Sequence, residues 1–277
     1  MHDLRKQRVT NPRVDAPTAN VTGIEMRASE SVWASEMFVD RTPCDLGARL
    51  AVMSECALFD RLDQQERKAL ALSATSQAYA PDEALFLQGQ EIGDIILIDS
   101  GAIKLSQCSP KGDSIILRMC SRGDTPIIPL EGPKSRHTFA AHAVGWCCVM
   151  RWEVRLIQQA MARLPTMRGN VDFLVSQKMR EMDERFWELL TETGRRRLAR
   201  TIMRLAETIG IKEPEGILIP ISTDELAKMT GMTMFTASRY IAAWRDTGFI
   251  LGRRREALVV RDADELLAKC VDTYAEP

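Results

Sequence analysis

The sequence lacks any long hydrophobic run. None of its apolar stretches approaches the roughly 20 residues that a transmembrane helix needs. Its first residues, MHDLRKQRVTNPRVDAP, contain no apolar core of the kind that a secretory signal has. We therefore expect a soluble, cytoplasmic protein with no membrane partner.

Cysteine motifs for metal binding are also absent. The chain has 7 cysteines and none of them forms a CxxC pair. The adjacent Cys147 and Cys148 would point to opposite faces of a strand. Reduced thiols in the cytosol fit this usage better than a disulfide framework. A zinc or iron–sulfur site would have to be assembled from distant segments, so we predict no metal site.

The chain shows no marked excess of either charge. It carries 37 Lys and Arg against 38 Asp and Glu, a formal net charge of -1. A nucleic-acid binder with this balance must gather its basic residues on one surface. Catalytic motifs are missing too: the chain has no nucleophile elbow, phosphate loop or close-spaced His/Glu ligand set. We do not expect an enzyme.

What the chain does contain centres on residues 222–250, STDELAKMTGMTMFTASRYIAAWRDTGFI. Ser222 and Glu225 have the spacing of a capping box, and Gly231 can end the first helix in a left-handed conformation. Thr233 then caps a second helix. This layout predicts a helix-turn-helix, and an ordinary helical hairpin is the alternative. The second helix has an apolar stripe at i, i+3, i+4 and i+7, formed by Ala237, Tyr240, Ile241 and Trp244.

The residues that follow indicate a wing. Leu251 and the run at 257–260, ALVV, can pair as a hairpin. Gly252 and the arginines after it would lie at the tip, where they can neutralise phosphates. The caps, the second helix and the wing supply the candidate DNA contacts, which are Ser222, Thr233, Met234, Phe235, Thr236, Ser238, Arg239, Arg253, Arg254 and Arg255.

N-terminal to this segment, the sequence pattern divides the chain into three further regions. Residues 1–45 are polar, with little periodicity, and predict a flexible N-terminal extension. Residues 46–74 predict short helices. Between residues 77 and 152, short apolar runs alternate with turn residues, a pattern typical of strands. Their regular spacing favours a small antiparallel barrel or sandwich.

A long helix is predicted over residues 165–193. Its apolar residues recur at alternating spacings of four and three, which forms a heptad seam with charged residues on either side. Because the seam is narrow, we favour a two-stranded coiled coil between subunits over a helix packed on its own domain. The seam consists of Val175, Met179, Met182, Phe186 and Leu189.

The order of the predicted segments (strand-rich region, long helix, helix-turn-helix and wing) resembles that of the Crp/Fnr family of bacterial transcription regulators. The resemblance covers roughly residues 58–267. The resemblance is carried by PDEALFLQGQEIGDIILIDSGAIKLSQCSPKGDSIILRMCSRGD, by RRRLARTIMRLAE and by the helix-turn-helix segment. It implies an α+β fold: a cyclic-nucleotide-binding-type β-roll over 46–164, a dimerisation helix over 165–193 and a winged helix-turn-helix over 194–277. It also implies a homodimer on two-fold symmetric double-stranded DNA, an effector in the roll and RNA polymerase as a partner.

The effector region departs from the cyclic-AMP-responsive members. Those members carry Gly-Glu-Leu after the Gly-Asp step, and Arg-Ser about ten residues later. Here Pro126 and Pro129 remove backbone donors that a phosphate cradle would use. Glu131 is too close to Arg136 to be in register, and His137 stands in place of the Ser. Arg136, His137 and Glu131 remain the candidate effector-pocket residues, and we do not expect cyclic AMP.

The effector itself is left open by the sequence. The cysteines do not follow the clustered N-terminal pattern of the oxygen-sensing iron–sulfur members. His137 and His142 are five apart on one predicted strand, so they would face opposite sides, which does not support haem. A haem-, cluster- or thiol-based gas or redox sensor of the same fold is the alternative, although the spacing supports neither haem nor a cluster. From a different class, a helix-turn-helix that contacts only proteins is an alternative, against which the arginine-tipped wing argues.

The reading helix departs from the family at one position. Members commonly place Glu, then Ser or Gly, then Arg along the exposed face. Ser238 and Arg239 match, but Phe235 stands where the Glu would be. Glu accepts from cytosine N4, whereas Phe offers only apolar contact, for which the thymine methyl is the natural target. The hypothesis is that Arg239 keeps guanine recognition while the neighbouring base moves toward A·T.

Overall fold

The computed structural model describes residues 45–126, 135–254 and 257–271. All but the last residue of the predicted 1–45 extension lies outside the described residues, as do Glu131 and Arg255. The side chains of Arg253 and Arg254 are also outside this description. None of the described helices is long and apolar enough to cross a membrane.

The described elements fall into an N-terminal and a C-terminal block. The N-terminal block runs through α1 (Leu46–Ser54), a 3₁₀ turn (Ala57–Phe59), α2 (Gln64–Ser73), β1 (Thr75–Tyr79), β2 (Ala84–Phe86), β3 (Asp94–Ser100), β4 (Ala102–Cys108), β5 (Ser114–Ser121), β6 (Ala140–Ala143), β7 (Cys147–Glu153) and α3 (Val154–Arg163). The C-terminal block runs through α4 (Pro165–Thr191), α5 (Gly194–Ile209), β8 (Ile211–Glu213), β9 (Gly216–Ile219), α6 (Thr223–Thr230), α7 (Met234–Asp246), β10 (Ile250–Arg254), β11 (Ala257–Val260) and α8 (Ala263–Val271).

The predicted short helices and the predicted strand-rich region are both confirmed. Sequence reasoning missed β1, because its residues are exposed except Tyr79 and show no alternation of apolar and polar side chains. The long helix ends at Thr191, two residues before the predicted end at 193. The reason is local: the Thr193 side chain accepts a hydrogen bond from the Arg196 backbone N–H (3.4 Å) and so starts α5.

The N-terminal block is an antiparallel roll. One sheet has the strand order β1-β7-β3 and the other has the order β2-β6-β4-β5. Their facing side chains form one core with α1, α2, α3 and the first turns of α4. Trp152 is fully buried in this core, packs on Phe59 at 5.4 Å between ring centroids, and donates its indole N–H to the Leu70 carbonyl (2.8 Å). The roll and the helices before it therefore share one core.

The C-terminal block forms a second core on the amphipathic helix α5. Its buried face includes Leu198, Ile202, Leu205 and Ile209, the stripe expected of a one-sided helix. The sheet β10-β11-β9-β8 and helices α6, α7 and α8 pack around that face. The expected α+β fold is confirmed, with a winged helix-turn-helix at its C-terminal end.

The tight connection between β3 and β4 depends on Gly101. Its φ is +80°, in the left-handed region that side chains disfavour. A Cβ at this position would lie 2.4 Å from the Trp146 carbonyl oxygen and 2.8 Å from Cys147 Cα. Both neighbours are backbone atoms of β7 or its preceding turn, so neither can move aside without disturbing the sheet.

Replacing Gly101 by Ala should destabilise the roll by at least about 2 kcal/mol more than replacing Gly112 by Ala. Gly112 is the matched control, since its φ is +91° but nothing lies within 4 Å of its added Cβ. Both variants carry the left-handed strain and only one carries the backbone clash. Thermal unfolding followed by circular dichroism should show a midpoint several degrees lower for Gly101→Ala. Equal midpoints for the two variants would contradict this account of the turn.

Candidate functional site

The predicted helix-turn-helix is present, with its caps in place. The Ser222 hydroxyl accepts from the Glu225 backbone N–H (3.1 Å), and the Glu225 carboxylate accepts from the Ser222 backbone N–H (3.0 Å). Helix α6 ends at Gly231, whose φ of +66° turns the chain. Thr233 then starts α7 by accepting from the Thr236 backbone N–H (3.2 Å). Each of these features depends on residues three or four positions apart.

Helix α7 has one buried face and one exposed face. Ala237, Ile241 and Trp244 are buried, and Tyr240 is half-buried beside them. On the opposite side Phe235 is 73% exposed, and the remaining residues of the face are exposed as well. That face consists of Met234, Phe235, Ser238, Arg239 and Arg245. The side chains that sequence reasoning assigned to base contact therefore share one solvent-facing surface, which we call the reading face.

The hydroxyls at the starts of α6 and α7 are engaged within the protein. Ser222 is half-buried, and its hydroxyl also lies 3.0 Å from the Glu225 carboxylate. The Thr236 hydroxyl is half-buried and lies 2.9 Å from the Thr233 hydroxyl. These hydroxyls hold the starts of α6 and α7, and so they orient the reading face.

The wing differs from its predicted form. Gly252, Arg253 and Arg254 were expected at its tip, but they lie in β10, opposite Val259, Leu258 and Ala257 of β11. A register shift between Ile250 and Gly252 lets the ladder continue to Arg254. The two residues between β10 and β11, 255–256, are outside the described residues.

A contact that sequence reasoning missed joins the helix-turn-helix to the roll. Lys104 of β4 donates to the Glu225 carboxylate at 2.7 Å. Burial by itself would raise the pKa of Glu225, but the hydrogen bonds from Lys104 and Ser222 outweigh it, and the pKa is lowered. Ala102, Ile116 and Met119 of the roll are also buried in the C-terminal core. No local pattern could reveal it, because the two partners are 121 positions apart.

Most of the heptad seam is exposed in the single chain. Met182 is 69% exposed and Phe186 63%, and Met179 and Leu189 are also more than half exposed. Val175 is the exception: it is half-buried and packs on the core of the roll. The uncovered part of the seam therefore begins at Met179.

A cleft of about 700 Å³ lies between the roll, α4 and the C-terminal block. Apolar side chains of the roll, including Leu105, Leu117 and Phe139, form one wall. Met182 and Phe186 of α4 form another, and α5 and the end of α6 supply the rest. Arg136 and His137 of the predicted effector pocket also line this cleft.

His137 is placed differently from the sequence expectation. Strand β6 begins only at Ala140, so His137 and His142 do not share a strand, and the argument from alternation was wrong. The short irregular stretch before β6 is held by backbone bonds from His137 N–H to the Gln90 carbonyl (2.8 Å) and from Gly89 N–H to the His137 carbonyl (2.7 Å). The imidazole stacks on Phe86 at 3.8 Å and is 7% exposed. Burial lowers its pKa, which favours the neutral ring.

The guanidinium of Arg136 is hydrogen-bonded within the protein. It donates to the Gly89 carbonyl at 2.7 Å. Glu131, the third predicted pocket residue, is outside the described residues. The structure thus brings Arg136 and His137 to one cleft.

The described residues contain no group of three or more His, Cys, Asp or Glu side chains that could hold a metal ion. Burial raises the pKa of Cys56 and Cys147 to about 12 and that of Cys120 to about 11. These thiols are protonated at neutral pH, and a protonated thiol is a poor nucleophile and metal ligand.

The junction of α4 and α5 carries an ion-pair network. Glu192 lies 2.8 Å from Arg200 and 3.0 Å from Arg196, and Glu188 lies 2.7 Å from Arg204. The two carboxylates belong to the end of α4 and the residue after it, and the three arginines to α5. The network therefore fixes the first helix of the C-terminal block against the long helix.

Comparison with known proteins agrees with this architecture. Residues 196–269 match the family model of the Crp-like helix-turn-helix domain. The transcriptional regulator LdrP of Thermus thermophilus is 27% identical over 175 residues, 62% of this chain and 85% of its own. The anaerobic regulatory protein of Bacillus subtilis is 25% identical over 174 residues, 60% of this chain and 71% of its own. The structure of FixK2 from Bradyrhizobium japonicum superposes with a TM-score of 0.62 at 19% identity, covering 73% of this chain and 99% of that one.

The fold and the reading face define a transcription regulator in which a cyclic-nucleotide-binding-like roll is joined to a DNA-binding helix-turn-helix. The sequence relatives are likewise regulatory proteins. Residues 196–269 carry the Crp-like helix-turn-helix domain, and the chain as a whole is similar to regulators of the Crp/Fnr type.

Replacing Lys104 by Gln should weaken the contact between the roll and the helix-turn-helix by about 0.5–1 kcal/mol at pH 7. Because the pKa of Glu225 is lowered in the folded protein, its contribution is present above the ordinary carboxyl pKa and is lost as pH falls through the lowered value. The difference in melting temperature between wild type and Lys104→Gln should therefore be smaller at an acidic pH, below the lowered pKa, than at pH 7.

Lys228→Gln is the control for this measurement. Lys228 pairs with Asp224 on the same helix, and both side chains are largely exposed. Its removal should change the melting temperature little at either pH. A Lys104→Gln variant that behaved like Lys228→Gln would show that the interdomain pair does not stabilise the interface.

Proposed function

We propose that this regulator acts as a homodimer on a two-fold symmetric DNA site and that an effector in the cleft controls its DNA-binding pose. The observation that carries the proposal is the reading face of α7. Its polar and apolar side chains are exposed together, while Ala237, Ile241 and Trp244 on the opposite face are buried. Helix-turn-helix proteins present such a face to the major groove.

Arg239 is proposed to read guanine. Its side chain is exposed on the reading face, and a guanidinium can donate two bonds to guanine O6 and N7. Phe235 and Met234 precede it with exposed apolar side chains. These can contact a thymine methyl and cannot accept from cytosine. We therefore expect each half-site to contain a guanine opposite Arg239 and an A·T base pair opposite Phe235.

Phosphate contacts are proposed for Ser222 and Thr233 and for the wing residues Arg253, Arg254 and Arg255. Ser238 is proposed to contact bases with Phe235 and Arg239, and Thr236 lies beside them. Hydroxyls and arginines at helix starts and wings position a protein on the duplex without reading bases. The assignment of the wing arginines rests on their place in the sequence after α7.

Dimerisation is proposed through the exposed part of the seam. Met179, Met182, Phe186 and Leu189 form a contiguous apolar stripe on α4. A stripe of this length with charged flanks is the pattern of a two-stranded coiled coil. Val175, at the roll end of the seam, packs within its own chain. The dimer would bring two reading faces to two half-sites, as the family resemblance implies.

The proposed division of labour follows the three segments 46–164, 165–193 and 194–277, as sensor, dimer helix and DNA-binding domain. The effector is proposed not to be cyclic AMP, since the residue after Arg136 is the packed His137 and not a hydroxyl donor. A thiol switch at Cys56, Cys120 or Cys147 is disfavoured by their burial and raised pKa values. We further propose a cytoplasmic, non-enzymatic protein that acts on RNA polymerase.

Replacing Arg239 by Ala should weaken binding to the specific site by about 1–3 kcal/mol and remove the preference for guanine at one position. The control is Arg180→Ala, because Arg180 is exposed on α4 away from the reading face. Binding of half-sites carrying every single base substitution, measured by gel shift, provides the test. The base opposite Phe235 should favour thymine over cytosine.

Unchanged base discrimination in Arg239→Ala would overturn the reading-face assignment. Failure of the wild type to bind any genomic fragment in any ligand or redox state would instead favour a module that contacts only proteins.

Replacing Met182 and Phe186 together by Ser should yield monomers with little affinity for the operator, because one half-site alone provides too few contacts. Phe173→Ser is the matched control. Phe173 is also an exposed apolar residue of α4, 55% accessible, but it lies off the seam. Sedimentation equilibrium measures the oligomeric state of each variant. A double variant that remained dimeric would exclude this seam.

A further inference from the structure

The cleft between the roll and the C-terminal block has an excess of positive charge. Among the described residues that line it there are six cationic side chains and two carboxylates, Glu181 and Glu188. The cations come from the roll, from α4 and from α5, and they are Arg118, Arg136, Lys178, Arg185, Arg197 and Arg204. Such an excess inside a half-enclosed space attracts an anion more strongly than the same charges would on an open surface.

Three of these guanidiniums converge from three different parts of the chain. Arg118 lies on β5, and its side chain makes no hydrogen bond or ion pair with any described residue. Arg185 lies on α4 and donates to the Leu117 carbonyl at 2.6 Å. Arg204 lies on α5 and pairs with Glu188 at 2.7 Å. The roll, the long helix and the DNA-binding domain each contribute one.

The charges of these three residues act on each other. Burial lowers the pKa of Arg185, and the positive charges of Arg204 and Arg118 lower it further. Glu181 and Glu188 oppose this effect without overcoming it. The positive charge of Arg185 is therefore incompletely neutralised by its neighbours. A bound anion would supply the missing negative charge.

The walls of the cleft are suited to an apolar body. Ile92, Leu105, Leu117 and Phe139 line the roll side, and Phe186 lines the α4 side. The volume of about 700 Å³ is within the range of sites for small organic ligands, and is larger than an inorganic ion needs. A ligand that fills it would combine an oxyanion with an aromatic or aliphatic group.

We propose that the cleft binds a phosphate monoester carried on an aromatic or other apolar body, with its phosphate oxygens held by Arg118, Arg185 and Arg204. A phosphate monoester has up to two negative charges and three terminal oxygens, which matches several guanidinium forks better than a single carboxylate does. The proposal rests on the proposed effector control and names the chemistry of the effector. It differs from the sequence expectation, which placed the anion contact at Arg136.

Binding at this point would act on the DNA-binding domain directly. A phosphate between Arg118 and Arg204 ties β5 of the roll to α5. It also competes with Glu188 for Arg204, and Glu188 is part of the network that holds α5 against α4. The ligand would therefore change the position of the helix-turn-helix by replacing one charge contact of α5 with another.

The test uses the full-length protein and matched probes in isothermal titration calorimetry. 1-Naphthyl phosphate and 1-naphthoate carry the same aromatic body with a phosphate or a carboxylate. Adenosine 5′-monophosphate shows whether a nucleotide is accepted, and inorganic phosphate shows how much the anion contributes alone. We expect 1-naphthyl phosphate or the nucleotide to bind, with naphthoate and inorganic phosphate at least about tenfold weaker.

Arg118→Gln should weaken the phosphate monoester at least about tenfold, because it removes one charge-assisted contact. The Arg118 side chain makes no hydrogen bond or ion pair with the described residues, so this variant should melt close to the wild-type temperature. Arg180→Gln, the same change on the exposed side of α4, should bind like the wild type. Arg185→Lys keeps the charge without the fork and should also lose affinity.

Three results would overturn the proposal. They are the absence of binding by both phosphate monoesters, preference for naphthoate, and an Arg118→Gln variant that binds as tightly as Arg180→Gln. Gel shifts with a specific DNA fragment separate this outcome from failure of the proposed function. Intact DNA binding with no binding of either phosphate monoester removes the ligand assignment alone. Probe binding that leaves DNA binding unchanged removes the regulatory role, and probe binding by a protein that binds no DNA fragment removes the proposed function instead.

Discussion

Strand β5 is the element on which the arrangement of the molecule depends, because its side chains are buried in two different cores. Cys120 belongs to the core of the roll, whereas Ile116 and Met119 belong to the core of the C-terminal block. β5 is also the last strand in the order β2-β6-β4-β5, an edge that would otherwise expose unpaired backbone groups. The DNA-binding domain covers this edge. A shift of either block must therefore disturb apolar packing in the other, which is a physical basis for communication between them.

Ion pairs, as well as apolar packing, connect the roll and α4 to the C-terminal block. At the junction of α4 and α5, two carboxylates form ion pairs with three arginines of α5. This group therefore has a net positive charge where the cleft meets the DNA-binding domain. Lys104 and Glu225 join the roll to the start of α6 on the other side. These ion pairs are partly shielded from water, and their strength depends on whether each charge has a partner. A ligand that adds or removes one charge in the cleft can therefore change which contacts hold the domain.

Two of the exposed apolar surfaces differ in their chemistry. On α4, the seam from Met179 to Leu189 is continuous and flanked by charge, as expected of a helix that meets a second copy. On α7, Phe235 and Met234 are exposed beside Arg239, so apolar and basic groups lie together. A mixed surface of this kind suits a DNA groove, where a methyl group and a base edge are neighbours. The two surfaces carry two different proposals because their composition differs.

The sequence by itself determined the features that depend on neighbours within a few positions. The capping box at Ser222, the left-handed Gly231, the stripe of α7 and the heptad of α4 were all readable, because each follows from helical period or cap chemistry. The ends of elements were less certain: Gly252 was expected at the wing tip, and a register shift placed it inside β10. Only the tertiary structure decided what meets across long separations. It paired Lys104 with Glu225, moved His137 out of a strand and onto Phe86, and gathered Arg118, Arg185 and Arg204 around one cleft. Those contacts depend on how two cores share β5, which no local pattern records.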